Sequence, residues 1–261
     1  MPASPSADPS PVAGLSVFLI AKNEADRIGA VLAAVRGITD DLVVIDSGST
    51  DDTVAVAERF GARVIHNDWV GFGPQKRFGE EQCRHDWLLN LDADEVPSLE
   101  LLAEIRALFA PGEPQARFFR FRIKHVYPGD TKPRLWADYH NYVRLYDRRV
   151  GRFRDSLVYD EVVTGTQPVG QLHQHALHYS IRSFEHMAEK LRAYSTLTLS
   201  EKKKKRRFAA ARLPLEFPMQ FFKYYVLRRH FSGGSKGFRF SLLYAQAKHN
   251  RIKAFLHAPR S

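Results

Sequence analysis

The 261-residue chain has one cysteine, Cys83, so it can form no internal disulfide and build no cysteine-based metal cluster. A lone thiol fits a reducing compartment. Long hydrophobic runs are also missing, and no stretch reaches the roughly 20 apolar residues that a membrane-spanning helix needs. Residues 1–13 lack both a basic segment and an apolar one, and their Pro, Ser and Ala content reads as a disordered leader rather than a signal peptide. Acids are scarce in one part of the chain only. Residues 182–261 hold 19 Lys and Arg against 4 Asp and Glu, a net of +15, whereas residues 1–181 hold 20 against 25, a net of −5. The tail therefore carries more than the whole excess of +10.

What is present at the other end is alternation. The buried-strand run Leu15-Ser16-Val17-Phe18-Leu19-Ile20 leads into Ala21-Lys22-Asn23-Glu24, where Asn23 is expected to cap a helix. That helix repeats apolar residues at Ile28, Val31, Leu32 and Val35, and Gly37 stands where a C-cap glycine belongs. The unit then recurs. Leu42-Val43-Val44-Ile45 reads as a strand, Asp46-Ser47-Gly48-Ser49 as its turn, and Val54 to Phe60 as a second helix ending at Gly61. A third strand at Arg63-Val64-Ile65-His66 and a helix around 75–84 lead to Trp87-Leu88-Leu89-Asn90-Leu91, which ends in Asp92, Asp94 and Glu95. Parallel sheets bind ligands beyond the carboxyl ends of their strands, so Asn23, Asp46 and Asp92 are expected at one rim. Two carboxylates spaced i, i+2 on a turn offer hard oxygens to Mg²⁺ or Mn²⁺ and leave the remaining positions for water and phosphates. Taken alone, the acids could also be the favoured first turn of a helix.

Together, Ala21-Lys22-Asn23-Glu24, Val44-Ile45-Asp46-Ser47-Gly48-Ser49-Thr50-Asp51-Asp52-Thr53 and Leu91-Asp92-Ala93-Asp94-Glu95 resemble glycosyltransferase family 2, over roughly residues 15–200. Trp69-Val70-Gly71-Phe72-Gly73-Pro74-Gln75-Lys76-Arg77 and His178-Tyr179-Ser180 are similar, more narrowly, to lipopolysaccharide core glucosyltransferases that act on inner-core heptose. The resemblance implies an α/β fold of GT-A type: a Rossmann-like mixed sheet flanked by helices, followed here by a basic helical C-terminal tail. It implies a nucleotide-sugar half over about 14–112 and an acceptor half over about 113–181. It also implies that Asp46 contacts a uracil, that Ala21, Asn23, Glu24 and Lys76 or Arg77 help bind the nucleotide, and that Asp94 holds the metal with Asp92 close to ribose or metal.

Past residue 116 the pattern turns aromatic and basic, as in Phe119-Arg120-Phe121-Arg122-Ile123 and Tyr142-Val143-Arg144-Leu145-Tyr146, which reads as half-exposed antiparallel strands. Within this half, Val158-Tyr159-Asp160-Glu161-Val162-Val163 places two acids in a strand-like apolar run, where a charge is costly unless paired or used. The core glucosyltransferases show His-Glu at this point, which aligns Glu161 with their Glu and puts Asp160 in place of the His. Glu161 is the first candidate for the base that activates an acceptor hydroxyl, Asp160 the second, and an ion pair with Arg154 the structural alternative. Downstream, His178 is a candidate ligand of the metal or diphosphate, and strand alternation sets His173 and His175 on the opposite face.

The tail begins with a helix bearing Phe184, Ala188, Leu191 and Tyr194, continues through Lys202-Lys203-Lys204-Lys205-Arg206-Arg207, and reaches an aromatic, basic stretch over 213–231. Polybasic segments beside amphipathic helices attract anionic headgroups at about 1 kcal/mol per basic residue. No nucleic-acid recognition motif accompanies the run. With what the resemblance implies, the expectation is an inverting, metal-dependent hexosyltransferase that moves a hexose, glucose by resemblance, from a UDP-sugar to a lipid-anchored saccharide such as a lipopolysaccharide core, at the cytoplasmic face of a bacterial inner membrane. A sugar nucleotidyltransferase would carry a glycine-rich phosphate loop after the first strand. A silent lipid- or saccharide-binding protein on the same fold is the non-enzyme alternative.

Overall fold

The computed structural model describes residues 10–197 and 206–257, so residues 1–9 of the leader and residues 202–205 of the basic run lie outside the described residues. The chain divides into two compact units. One runs to Lys124 and resumes over Tyr139–His178; the other joins His125–Asp138 to the chain from Tyr179 onward. The sequence reading ended its catalytic domain at residue 181 and kept 125–138 within it.

In the first unit, β1 (Leu15–Ala21) is buried at every position but Ile20, as a strand with neighbours on both sides must be. It pairs in parallel with β2 (Asp41–Asp46) and β4 (Trp87–Asp92), and β2 pairs with β3 (Arg63–His66). The intervening helices are α1 (Ile28–Val35), α2 (Thr53–Arg59) and α3 (Phe72–Gln82). Ile28, Val31, Leu32 and Val35 are the residues that α1 buries, one face of a 3.6-residue repeat. Antiparallel strands extend the sheet beyond β4: β7 (Tyr139–Asp147), β6 (Phe118–His125) and β8 (Val169–His178), with the short β5 (Glu95–Pro97) at the edge and α4 (Leu99–Phe109) after it. The order is β3-β2-β1-β4-β7-β6-β8-β5, the mixed eight-stranded sheet flanked by helices that the alternation and the resemblance predicted. Alternation along β1 sends Val17 and Leu19 into one apolar layer with Leu32, Leu89 and Leu91, and Phe18 into the other with Val43, Ile45 and Phe153.

Three local expectations are corrected. Asn23 does not cap α1, whose N-cap is Arg27 with no side-chain cap; Asn23 instead takes a left-handed φ of 56° and turns the chain. The run over 158–163 is not a strand, and only Val162 bridges back to Phe153. It follows a loop docked on α3 so closely that a Cβ on Gly73 would stand 2.2 Å from the Arg154 carbonyl oxygen. Val12, placed in the leader, is buried and donates its N–H to the Ile38 carbonyl at 2.8 Å.

The second unit is helical: α5 (Phe184–Leu197), α6 (Arg206–Phe222), a π-helical turn (Lys223–Leu227), a 3₁₀ turn (His230–Gly233) and α7 (Gly234–His257). The segment His125–Asp138 is tied to these helices by a chain of polar contacts that is buried at Tyr127 and His230. The Tyr127 hydroxyl meets His230 Nδ1, His230 Nε2 lies 3.1 Å from Asp138, and Arg134 lies 3.2 Å from the same carboxylate. No helix among the described residues is long and apolar enough to cross a membrane.

Asp41 pins the amino ends of β1 and β2. Its buried carboxylate accepts from the Ser16 hydroxyl at 2.6 Å, the Arg84 amide at 2.7 Å and Arg63 Nη2 at 2.9 Å. Burial works to raise its pKa, but these donors outweigh burial and the pKa is lowered. A depressed folded pKa means stability that is present above the ordinary carboxylate range and lost as pH falls through the folded value. Asp41→Asn should therefore cost about 1–3 kcal/mol in urea unfolding at neutral pH, and its gap from the wild type should close below about pH 4.

Candidate active site

Residues facing each other across β1 set the rim: Ala21 pairs with Asp46 and Ile20 with Asp92. The turns that follow β1, β2 and β4 thus leave the sheet at one level. Asp46 is buried, and its Oδ2 accepts the Gly48 and Ser49 amides at 2.9 and 3.0 Å, a turn for which Gly48 adopts φ 81°. Its Oδ1 is buried with no hydrogen-bond partner among the described residues. An acceptor in that condition is costly unless something bound satisfies it. The first two turns are laced together. Asn23 donates its amide to Ser49 Oγ at 2.9 Å and accepts the Thr50 amide at 2.8 Å, Glu24 donates its amide to Thr53 Oγ1 at 2.8 Å, and the Ala21 carbonyl accepts the Ser47 amide at 2.9 Å. The Glu24 carboxylate pairs with Arg27.

The acid turn after β4 is organised by two buried cations. Lys76, fully buried on α3, donates to Asp92 Oδ1 at 2.9 Å and reaches Asp160 at 2.8 Å. Arg144, buried on β7, donates to Asn90 at 2.9 Å, Asp92 Oδ2 at 2.9 Å and Glu95 at 3.0 Å. Burial opposes the charge on Asp92, but Arg144 and Lys76 overcome it and hold the carboxyl well below the usual range. Glu95 is pushed up to about 7, because burial and the Asp92 charge outweigh Arg144. Both oxygens of Asp92 are thus committed to side chains.

Asp94 is also engaged at both oxygens, by different partners. Its Oδ1 lies 3.4 Å from His178 Nε2 and its Oδ2 3.2 Å from Arg27. Strand β8 brings His178 here, since β5 and β8 pair with Glu95 opposite His178. Burial acts against charge on both groups, yet their mutual contact wins: the Asp94 pKa is lowered and that of His178 raised. A carboxylate and an imidazole this close suit a divalent ion whose other positions go to phosphate oxygens and water. No group of three or more His, Cys, Asp or Glu side chains is arranged for a metal among the described residues, and Asp94 and His178 stand there as a pair, with Arg27 on the other carboxylate oxygen.

Of the two candidate bases, Asp160 enters the buried network through Lys76, while Glu161 is exposed and pairs with Arg154 at 2.8 Å. Arg77 donates to the Phe153 carbonyl at 3.0 Å. The sequence reading passed over Arg144, Asn90 and Arg27. Arg144 left one trace, a charge within the apolar stretch Val143-Arg144-Leu145-Tyr146; nothing local marked Arg27.

A family model described as glycosyl transferase family 2 matches residues 16–163. A protein of Rickettsia felis named an uncharacterized glycosyltransferase is 38% identical over 249 residues, which cover 91% of this chain and 88% of that one. The lipopolysaccharide core biosynthesis glycosyltransferase LpsC of Rhizobium meliloti is 27% identical over 255 residues, covering 94% of this chain and 91% of that one. Among solved structures, glucosyl-3-phosphoglycerate synthase from Mycobacterium tuberculosis, in complex with Mn²⁺, UDP and glucosyl-3-phosphoglycerate, aligns over 70% of this chain and 78% of that one, with 20% identity and a TM-score of 0.42.

Removing Arg144 would leave Asp92 and Glu95 without the cation that bridges them. Arg144→Met should destabilise the protein by about 3–5 kcal/mol in chemical unfolding, the usual result of breaking a buried charge cluster from one side. Arg144→Lys should recover only part of this, because an ammonium lacks the fork that reaches Asn90, Asp92 and Glu95 together.

Proposed function

The chain belongs to glycosyl transferase family 2 and is a glycosyltransferase, and from that premise we propose that it transfers a hexose, glucose by resemblance, from a UDP-sugar to a lipid-anchored saccharide of lipopolysaccharide-core type. One observation carries the donor half of this reading. At the shared rim of β1, β2 and β4, a buried carboxylate with an unused oxygen, Asp46, lies on the strand beside β1, and the Asp94–His178 pair follows the strand on its other side. A uracil N–H is the donor that suits Asp46 Oδ1, and the diphosphate is the part of the donor that suits a cation at Asp94 and His178. A bound Mg²⁺ or Mn²⁺ would offset charge on the departing diphosphate. The chain's own residues do the rest. Lys76 and Arg144 neutralise Asp92 and hold the acid turn in shape, so that Asp94 presents to the cleft. Glu161 takes the proton of the acceptor hydroxyl as it attacks opposite the leaving group, which inverts the anomeric centre. Its carboxylate is exposed and pairs with Arg154, whereas Asp160 is gripped by buried Lys76. The name of the LpsC relative supports the acceptor class. The basic tail suits a site of action on the anionic cytoplasmic face of a membrane.

Thermal shift tests the donor reading, because a ligand that binds the native state raises the melting temperature. UDP with Mn²⁺ should stabilise the wild type more than either alone, Asp94→Asn should abolish the metal-dependent increment, and Asp46→Asn should lose the preference for uracil over other bases. No shift with any nucleotide and metal would sink the reading. Transfer kinetics test the base: Glu161→Gln should lower kcat by at least about a hundredfold while donor affinity holds. If Asp160→Asn alone behaves this way, the base is Asp160.

A further inference from the structure

Helix α6 and the π-helical turn that continues it are inside out. From residue 214 to 227 the solvent-facing positions come in pairs at every fourth residue, and all but Lys223 are nonpolar. Leu215 is 65% exposed, Met219 47%, Phe222 54% and Leu227 66%. The positions turned inward are Glu216, Gln220 and Tyr224, again four apart. Glu216 is fully buried, accepting Arg212 Nη2 at 2.9 Å and Gln220 Nε2 at 3.1 Å, and Tyr224 stacks on Tyr244 of α7 at 4.6 Å. A surface helix in water does the reverse, burying its apolar stripe and exposing its polar one. Fourteen helical residues make an apolar strip about 20 Å long, more than scattered surface hydrophobics account for.

The surroundings of the strip identify its occupant. Exposed Arg212 stands before it and exposed Arg228 and Arg229 after it, and residues 206–257 hold eleven Lys and Arg against a single acid, the buried Glu216. A second copy of the chain would bring the same positive charge to the contact. An anionic bilayer brings the opposite charge together with an apolar interior. In the same unit Trp136 is 54% exposed with the Arg229 guanidinium 5.4 Å from its ring, a pairing of aromatic and cation that suits the headgroup boundary. Arginines at the ends of an apolar face can bury their stems and keep their heads among phosphates.

We propose that α6 and its π-helical extension form an in-plane membrane seat, with the strip over 214–227 turned into the acyl region of an anionic leaflet and Arg212, Lys223, Arg228 and Arg229 among the headgroup phosphates. The proposal rests on the membrane-facing part of the reading above and adds what a basic run alone does not require, a hydrophobic insertion.

Vesicle flotation of the full chain separates the two. Wild type should float with phosphatidylcholine vesicles containing about 30% phosphatidylglycerol, and should keep a residual fraction at about 1 M salt, where the Debye length is only about 3 Å. Replacing Leu215, Met219, Phe222 and Val226 with Gln should cut partitioning by about tenfold or more and remove the salt-resistant fraction, with an unchanged circular dichroism melt. Because the single native cysteine, Cys83, is buried, a spin label on Met219→Cys reports the strip directly. Vesicles should shield that label from a water-soluble relaxant and expose it to dissolved oxygen. If the quadruple variant floats like wild type while Gln replacement of residues 202–207 abolishes flotation, the seat is overturned and the membrane reading stands. If wild type does not float at all, both fall. If vesicles leave the label water-accessible while ultracentrifugation shows a dimer that the quadruple variant loses, the strip is a self-association face and the proposal is overturned.

Discussion

The first unit is organised around one electrostatic requirement: three acids crowd the end of a buried strand, and a folded chain can hold them there only with cations in reach. Lys76 and Arg144 supply that charge from different elements, α3 and β7, and both reach Asp92. Neither cation is affordable alone, since a buried ammonium or guanidinium without carboxylates would be as costly as the acids without them. The cluster is therefore an assembly condition. Strand β7 must lie against β4 and α3 must pack over β1 and β2 before any of these charges is compensated.

That dependence also explains what could be read from the linear chain. Buried parallel strands leave continuous apolar runs, and 3.6-residue spacing marks α1, so the alternation of strands and helices through residue 66 is legible in the sequence. The acid turn was visible because three carboxylates in four residues are unusual anywhere. Arg144 was hidden, because Tyr142-Val143-Arg144-Leu145-Tyr146 alternates like a half-exposed strand. Only the antiparallel pairing of Leu89 with Leu145 sets Arg144 beside Asn90 and Asp92. The Lys76–Asp160 contact spans 84 residues, and no local pattern encodes a partner at that separation. Local reading also misjudged 158–163, where apolar residues mimic a strand although the preceding loop belongs to α3.

In the second unit the short-range signals were sound and the allegiance of one segment was not. His125–Asp138 leaves the sheet between β6 and β7 and joins the C-terminal helices through Tyr127, Arg134 and Asp138. Its polar residues pack in a helical environment set by His230 and Phe240, both about a hundred residues later in the chain. The aromatic, basic character of 213–231 was plain from composition. Which side of that helix faces outward was not, because periodicity shows that a stripe exists and leaves open whether protein or solvent covers it.

The fit between α3 and the loop that leads to Asp160 and Glu161 has a mechanical meaning. Gly73 donates to the Ser156 carbonyl, Arg77 to that of Phe153, and Glu80 accepts the Phe153 amide and the Arg152 guanidinium, while Gly73 itself has no room for a methyl group. A helix and a loop joined by four hydrogen bonds at three helix positions, over about two turns, share their degrees of freedom. Lys76 lies on α3 between Gly73 and Arg77, so the loop that leads to Asp160 and Glu161 and the cation that holds Asp92 are fixed to one and the same helix.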